Sequence, residues 1–229
     1  ISLDVDSPDS ILLAIKAVKP SIKILAYLPI NGTWSNALVF PANSKWREMY
    51  EVIDANNWWL WNTAGGHVSD HIGKWTANTT SLCPVNAQGK NYLDWFPEFI
   101  TQSVLENGSS PWDGVFLDNV WIGIWFINTN LTLNPFPIDV DRDGIADSQP
   151  TLDLLWSAGD DTLIQRMART MPAGNLLTGN GQNSFYEMNG AMIETFPGFI
   201  GTNVKLAYTD TAGSAFWIPC EFGPKMRMP

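Results

Sequence analysis

Two rhythms alternate along this chain: short runs of consecutive apolar residues, and apolar residues spaced three or four apart. Ile1 to Val5 alternate as a strand does, and Ser7-Pro8 supplies an N-cap followed by proline at the first helical position. Ile11, Ile15 and Val18 recur at helical spacing until Lys19-Pro20 stops them. Ile22 to Leu28 reads as a buried strand running into the loop Pro29-Ile30-Asn31-Gly32. Strand, helix and strand with short connections make a right-handed βαβ unit, which implies a parallel sheet, so the fold class is α/β.

Lys45 to Ala55 predicts a helix with Trp46, Met49, Tyr50 and Ile53 on its core face. Asn57 to Asn62 predicts a strand whose alternation puts Trp59 and Trp61 on one face, Trp58 and Leu60 on the other. The turn Ala64-Gly65-Gly66-His67 and a polar loop holding His71 and Trp75 follow. Leu82 to Val85 predicts a short strand, and Phe96, Phe99, Ile100 and Val104 mark a helix after Pro97 that closes at Asn107-Gly108. Gly114 to Leu117 is a buried strand entered through Asp113-Gly114. Trp121 to Pro137 is then a long, aromatic, Asn- and Thr-rich loop of the kind that walls a site. Thr151 to Thr170 predicts a helix despite Gly159, and Asn175 to Thr178, Ala191 to Thr195, Val204 to Tyr208 and Ser214 to Ile218 predict strands.

The carboxyl ends of parallel strands face the ligand, so Asp118 and Asn119 fall at the mouth of a pocket. The bland alternative is that Asp118 caps the next segment. Ala191 to Phe196 repeats the arrangement with Glu194 at the tip, and Glu187 is a spare. Two carboxylates on separate strand ends are what a general acid and a nucleophile, or an acid and a base, require. Candidate substrate-binding residues are Tyr27, Trp61, His67, Asn119, Trp121 and Asn180. A tryptophan ring matches the C–H face of a pyranose, and amides such as Asn180 grip hydroxyls. Tyr27 either reaches a substrate or is a core tyrosine with its hydroxyl at the rim. His67 and His71 suit a metal only on a helix, and Gly65, Gly66 and Gly73 argue for a loop.

Charge narrows the partners: 13 basic against 23 acidic residues give a net charge of −10, which argues against nucleic acid and anionic membranes. Sparse charge with abundant Trp, Asn, Thr, Ser and Gly suits a secreted or extracellular protein handling neutral polar ligands. No apolar run reaches the roughly 20 residues of a membrane helix, and no signal peptide opens the chain. Starting at Ile1 without an initiator Met, it is expected to be processed or trimmed. Sequons begin at Asn31, Asn78, Asn107 and Asn130. Cys83 and Cys220 are either one disulfide or two buried thiols.

Asp139-Val140-Asp141-Arg142-Asp143-Gly144-Ile145-Ala146-Asp147 follows the D-x-D-x-D-G pattern of a calcium loop. Asp139, Asp141, Asp143 and Asp147 offer carboxylates and Ile145 its carbonyl, predicting a structural calcium site inserted near residues 139–153. Pro150 stands where an EF-hand has its bidentate Glu, leaving Asp153 or water to complete the shell. The alternative is an acidic surface turn.

Ile24 to Leu28, Trp58 to Trp61 with Gly65-Gly66, Trp112 to Asn119, Asp139 to Asp147 and Ile193-Glu194 together resemble the glycoside-hydrolase-like TIM barrels, predicted extracellular glycosidases. The resemblance implies one (β/α)8 barrel domain over residues 1–229, with Asp118 on the fourth strand as nucleophile and Glu194 on the sixth as general acid/base. The implied function is hydrolysis of glycosidic bonds in a poly- or oligosaccharide. A barrel needs about 250 residues, and too little chain follows Glu194 for the remaining strand and helix pairs. The expectation is therefore a fragment, or a barrel irregular and incomplete at its C-terminal end. The rival is a catalytically silent carbohydrate-binding or surface assembly protein on the same barrel, which would self-associate.

Overall fold

The computed structural model describes residues 1–181 and 187–192 completely, and the backbone alone of residues 193–196 and 214–219. In chain order the elements are β1 (Ser2–Asp4), α1 (Asp9–Val18), β2 (Leu25–Pro29), β3 (Gly32–Trp34), α2 (Lys45–Ala55), β4 (Trp61–Asn62) and β5 (Lys74–Thr76). There follow α3 (Tyr92–Phe99), β6 (Gly114–Val120), α4 (Trp125–Asn128), β7 (Ile138–Asp139), α5 (Gln149–Thr170), β8 (Leu176–Gly181), β9 (Gly190–Phe196) and β10 (Ser214–Pro219). The main sheet runs β1-β2-β6-β8-β9-β10, with the first five strands parallel and β10 antiparallel to β9. The α/β class and the parallel sheet are as the sequence predicts. Among the described residues β1 and β10 are the two ends of this sheet.

Strand alternation divides the sheet into two faces. Ala26, Leu28, Val115, Leu117 and Leu177 join the main core with Met49, Ile53, Phe96, Leu163 and Met167 from the helices. Tyr27, Phe116, Asp118, Thr178 and Asn180 belong to neither apolar cluster. One face is thus glued to helices and the other carries the polar groups. A second, smaller core of Leu60, Val68, Ile124, Ile127, Ile138, Val140, Leu152 and Trp156 fills the space beneath the 121–140 segment. The expected wall loop therefore has its own interior, with the short α4 and β7 inside it.

Several expectations change. Asn57 to Asn62 is not a strand of the main sheet, because β2 and β6 pair directly, Leu25 with Gly114 through Pro29 with Asp118. Leu60 N–H instead donates to Thr76 O, Asn78 N–H to Trp58 O and Val68 N–H to Leu60 O, so this segment builds a separate excursion. Trp58, Trp59 and Leu60 are all buried in it, against the predicted alternation. Residues 74–76, read as polar loop, form β5, whereas residues 82–85 are turn and coil. The helix expected after Pro97 begins at Tyr92, enclosing Pro97, and then widens to a π-helical turn in which Leu105 N–H donates to Ile100 O. Pro8 is the residue before α1, not its first, and Leu12 is the helix's buried side chain, while Ile11 and Val18 are 50% and 89% exposed. The strand expected at Val204 to Tyr208 lies outside the described residues.

Gly159, which lowers the helix propensity of α5, has a packing reason. A Cβ there would lie 1.7 Å from the carbonyl oxygen of Thr79, so α5 and the 78–80 loop touch backbone to helix. At an open helical site Gly→Ala stabilises by about 1 kcal/mol. Gly159→Ala is expected to destabilise instead, by roughly 1–3 kcal/mol from overpacking, a difference of sign that urea unfolding monitored by tryptophan fluorescence reads directly.

Candidate active site

The polar face is densest at the carboxyl end of β6. The regular pairing of β6 with β8 breaks between Leu117 and Val120, and there Asn119 adopts a left-handed backbone with φ 62. Asn tolerates that region better than most residues. The bulge turns Asp118 among donors from three directions. Tyr27 OH donates to its Oδ2 at 2.5 Å, and Asn119 N–H and Asn180 Nδ2 each donate to Oδ1 at 3.0 Å. Tyr27 is itself positioned by stacking on Phe116, ring centroids 5.8 Å apart. Tyr27 and Asn180, expected to meet substrate, thus hold the carboxylate expected to be catalytic.

Asn119 anchors in the other direction. Its Nδ2 donates to Asp70 Oδ2 and, at 3.4 Å, to Asn31 Oδ1. Burial pushes the Asp70 carboxyl up from the ordinary range, opposed by Lys74 and His71 and reinforced by Asp118. Asp70 Oδ1 and Asn31 Nδ2 are both buried, with no hydrogen-bond partner among the described residues. Asp70 and Asn31 were not among the expected site residues. Both lie in loops, where no periodicity announces which side chain turns toward a strand end.

Glu194 lies in β9, two residues beyond Met192, which pairs with Asn180. Its side chain is outside the described residues. In the main sheet β6 is the third strand and β9 the fifth, with β8 between them. Asp118 is thus on the third strand of this sheet, where the fourth was expected, and Glu194 is on a later one. Glu187 lies on the loop before β9.

Trp61 and His67 sit elsewhere. The His67 ring lies 4.0 Å from Trp75 and 4.7 Å from Trp61, centroid to centroid, and Arg142 covers Trp61 at 4.9 Å. These described contacts form an aromatic box joined to the acidic loop through the pairing of Trp61 with Asp139, rather than to Asp118. Trp121 stays nearer the site, half-buried against Phe126 and donating its N–H to Asn119 O.

The acidic loop folds on itself. Asp139 accepts from the Asp143 and Gly144 amides, Asp143 from Ile145 N–H and Asp147 from Val140 N–H. One oxygen each from Asp139, Asp141 and Asp147 comes within 4.8 Å of the others. Burial, then Asp141, Asp139 and Asp143, push the Asp147 carboxyl up, which is the repulsion a divalent cation would relieve. Three hard oxygens suit calcium. Asp143 is not in this converging set, and Ile145 is exposed. Asp153, which was expected to complete the shell if water did not, is outside the converging set, its Oδ1 accepting from Ile124 N–H and Gln149 Nε2.

Two sequons are closed: Asn31 and Asn78 are fully buried, and Asn78 bridges Val140 O and Thr80. Asn107 is exposed and Asn130 half-buried. Cys83 is a buried thiol pushed up to about 12, chiefly by desolvation. Its expected partner Cys220 lies outside the described residues.

The family model described as hypothetical glycosyl hydrolase family 15 matches residues 16–215. The chain belongs to that family, which fits a carbohydrate-active protein. No curated protein matches the chain.

Desolvation holds the His67 ring below its ordinary 6.5, against a smaller opposing pull from Asp54. A histidine whose pKa is lower folded than unfolded takes up protons on unfolding, so stability falls as pH drops below 6.5 toward the folded value. His67→Gln is expected to flatten the loss of stability between about pH 7 and 5, read from chemical unfolding at each pH.

Proposed function

We propose that this family member is a glycoside hydrolase in which Asp118 is the nucleophile and Glu194 the general acid/base, on a (β/α)8-type barrel to which the five parallel strands contribute. The observation that carries the reading is the Asp118 carboxylate at a parallel strand's carboxyl end, oriented by Tyr27, Asn119 and Asn180. Asp118 Oδ would attack the anomeric carbon of a poly- or oligosaccharide while Glu194 gives its proton to the departing glycosidic oxygen. Water then attacks the glycosyl-enzyme ester, losing its proton to Glu194 and freeing Asp118. Trp121, at the rim beside Asn119, would carry the sugar's C–H face.

The acidic loop in this reading holds a structural calcium through Asp139, Asp141 and Asp147. The ion would fasten β7 and the wall segment to β4. Secretion is the setting that matches a calcium-stabilised chain with few charges.

Asp118→Asn is expected to abolish cleavage of a glycan that the native protein cleaves, as followed by released reducing ends. Tyr27→Phe, losing one hydrogen bond to a carboxylate, is expected to lower kcat by roughly 10- to 100-fold. Glycan binding without cleavage, unchanged by Asp118→Asn, would identify the silent binding protein instead.

For the loop, calorimetric titration of metal-stripped protein is expected to show calcium uptake and a raised Tm, both lost in Asp141→Asn with Asp147→Asn. No uptake by the native protein identifies a plain acidic turn.

A further inference from the structure

Asp70 is the second carboxylate described at the carboxyl end of β6, and its contacts run both toward Asp118 and away from it. On one side its Oδ2 accepts from Asn119 Nδ2. On the other its neighbour Ser69 is fastened to the wall segment by buried Asn134, whose Oδ1 accepts from Ser69 N–H and whose Nδ2 donates to Ser69 O and Ile127 O. The Asp70 loop is thus fixed by the wall before it meets the strand.

Asn119 is the joint. Its left-handed backbone costs an L-residue on the order of 1 kcal/mol, and within the same bulge its N–H donates to Asp118 Oδ1 at 3.0 Å. A side-chain amide gripped by Asp70 and Asn31 holds the peptide in place. Without the grip, the bulge is free to relax into an extended strand, and Asp118 loses one of its three donors.

We propose that Asp70 is a positioning residue of the active site, acting through Asn119 to orient Asp118 and linking that carboxylate to the wall segment through Ser69 and Asn134. The role rests on the reading of Asp118 as nucleophile. It also gives the buried, partner-poor Asp70 carboxyl a reason to be there, since isolated buried acids are costly unless something is gained by them. Burial has the largest effect on that carboxyl, raising it, while Lys74 and His71 draw it down and Asp118 pushes it further up.

The test uses Asp70→Ala and Asp70→Asn with two readouts. On a glycan whose cleavage Asp118→Asn abolishes, Asp70→Ala is expected to lower kcat by about tenfold or more with KM changed less than about twofold. Asp70→Asn, which keeps an acceptor for Asn119, is expected to recover kcat to within about threefold of native. Independently of turnover, the Asn119 backbone amide, which donates to Asp118, is expected to exchange with solvent at least about tenfold faster in Asp70→Ala and within about threefold of native in Asp70→Asn. Unchanged kcat and Asn119 amide exchange in Asp70→Ala, or equal impairment in both variants, overturns the proposal. If the native protein cleaves no glycan, the hydrolase reading fails and the Asn119 amide exchange alone decides whether Asp70 holds Asn119 against Asp118. Asp70→Ser carries the same readouts should the alanine variant not fold.

Discussion

β6 is hydrogen-bonded along both edges, to β2 on one side and β8 on the other, and that double pairing is the constraint on which the rest of the molecule depends. It fixes which side chains face the helices and which face away. It also requires Gly114, where a Cβ would fall 2.0 Å from Leu176 O at φ 148, so entry into the strand permits nothing larger. Because both neighbours end near the same level, Tyr27 and Asn180 arrive beside Asp118 without any loop having to find them. The bulge after Leu117 then releases the last residues of the strand from the ladder, converting a structural element into a mount for polar groups.

What was legible in the chain follows from which signals are local. α2 matches its predicted limits and its four buried residues, because the apolar spacing that marks it lies wholly within it. The Asp118 strand was legible because an uninterrupted apolar run is a strong mark of a buried parallel strand. Asn57 to Asn62 has a similar composition yet leaves the sheet, since composition records burial and not the neighbour against which a segment is buried. Asp70 and Asn31 were invisible for a related reason: their meeting at Asn119 joins segments 49 and 88 residues away in sequence. Glu194 was singled out by its pattern; the strand order places β9 one removed from β6, and the side chain itself lies outside the described residues.

The acidic surplus is not spread evenly. Asp160 lies fully buried on α5 beside Thr79 and the backbone of Trp121, and desolvation pushes it well above the carboxylate range. Asp70 and Asp147 are raised for the same leading reason, with like charges adding to it. Three carboxyl groups in three different segments thus meet burial differently: Asp160 within a helix, Asp70 gripping an amide, and Asp147 converging with Asp139 and Asp141. The aromatic box is a fourth electrostatic arrangement, in which the Arg142 guanidinium rests on Trp61 and donates to the carbonyls of Asn57 and Trp59.

The burial of Asn31 and Asn78 bears on how this chain can be made. In a eukaryotic secretory pathway the oligosaccharide is added to a sequon on the emerging polypeptide, before the side chain has a native environment to hide in. A bulky glycan on Asn31 would stand between the β2 end and Asn119, and one on Asn78 would separate the 78–80 loop from Val140 and α5. Those sequons are therefore compatible with the fold only where the transferase is absent or is outrun by folding. The choice of host for producing this protein is set by two asparagines that the finished structure keeps out of reach.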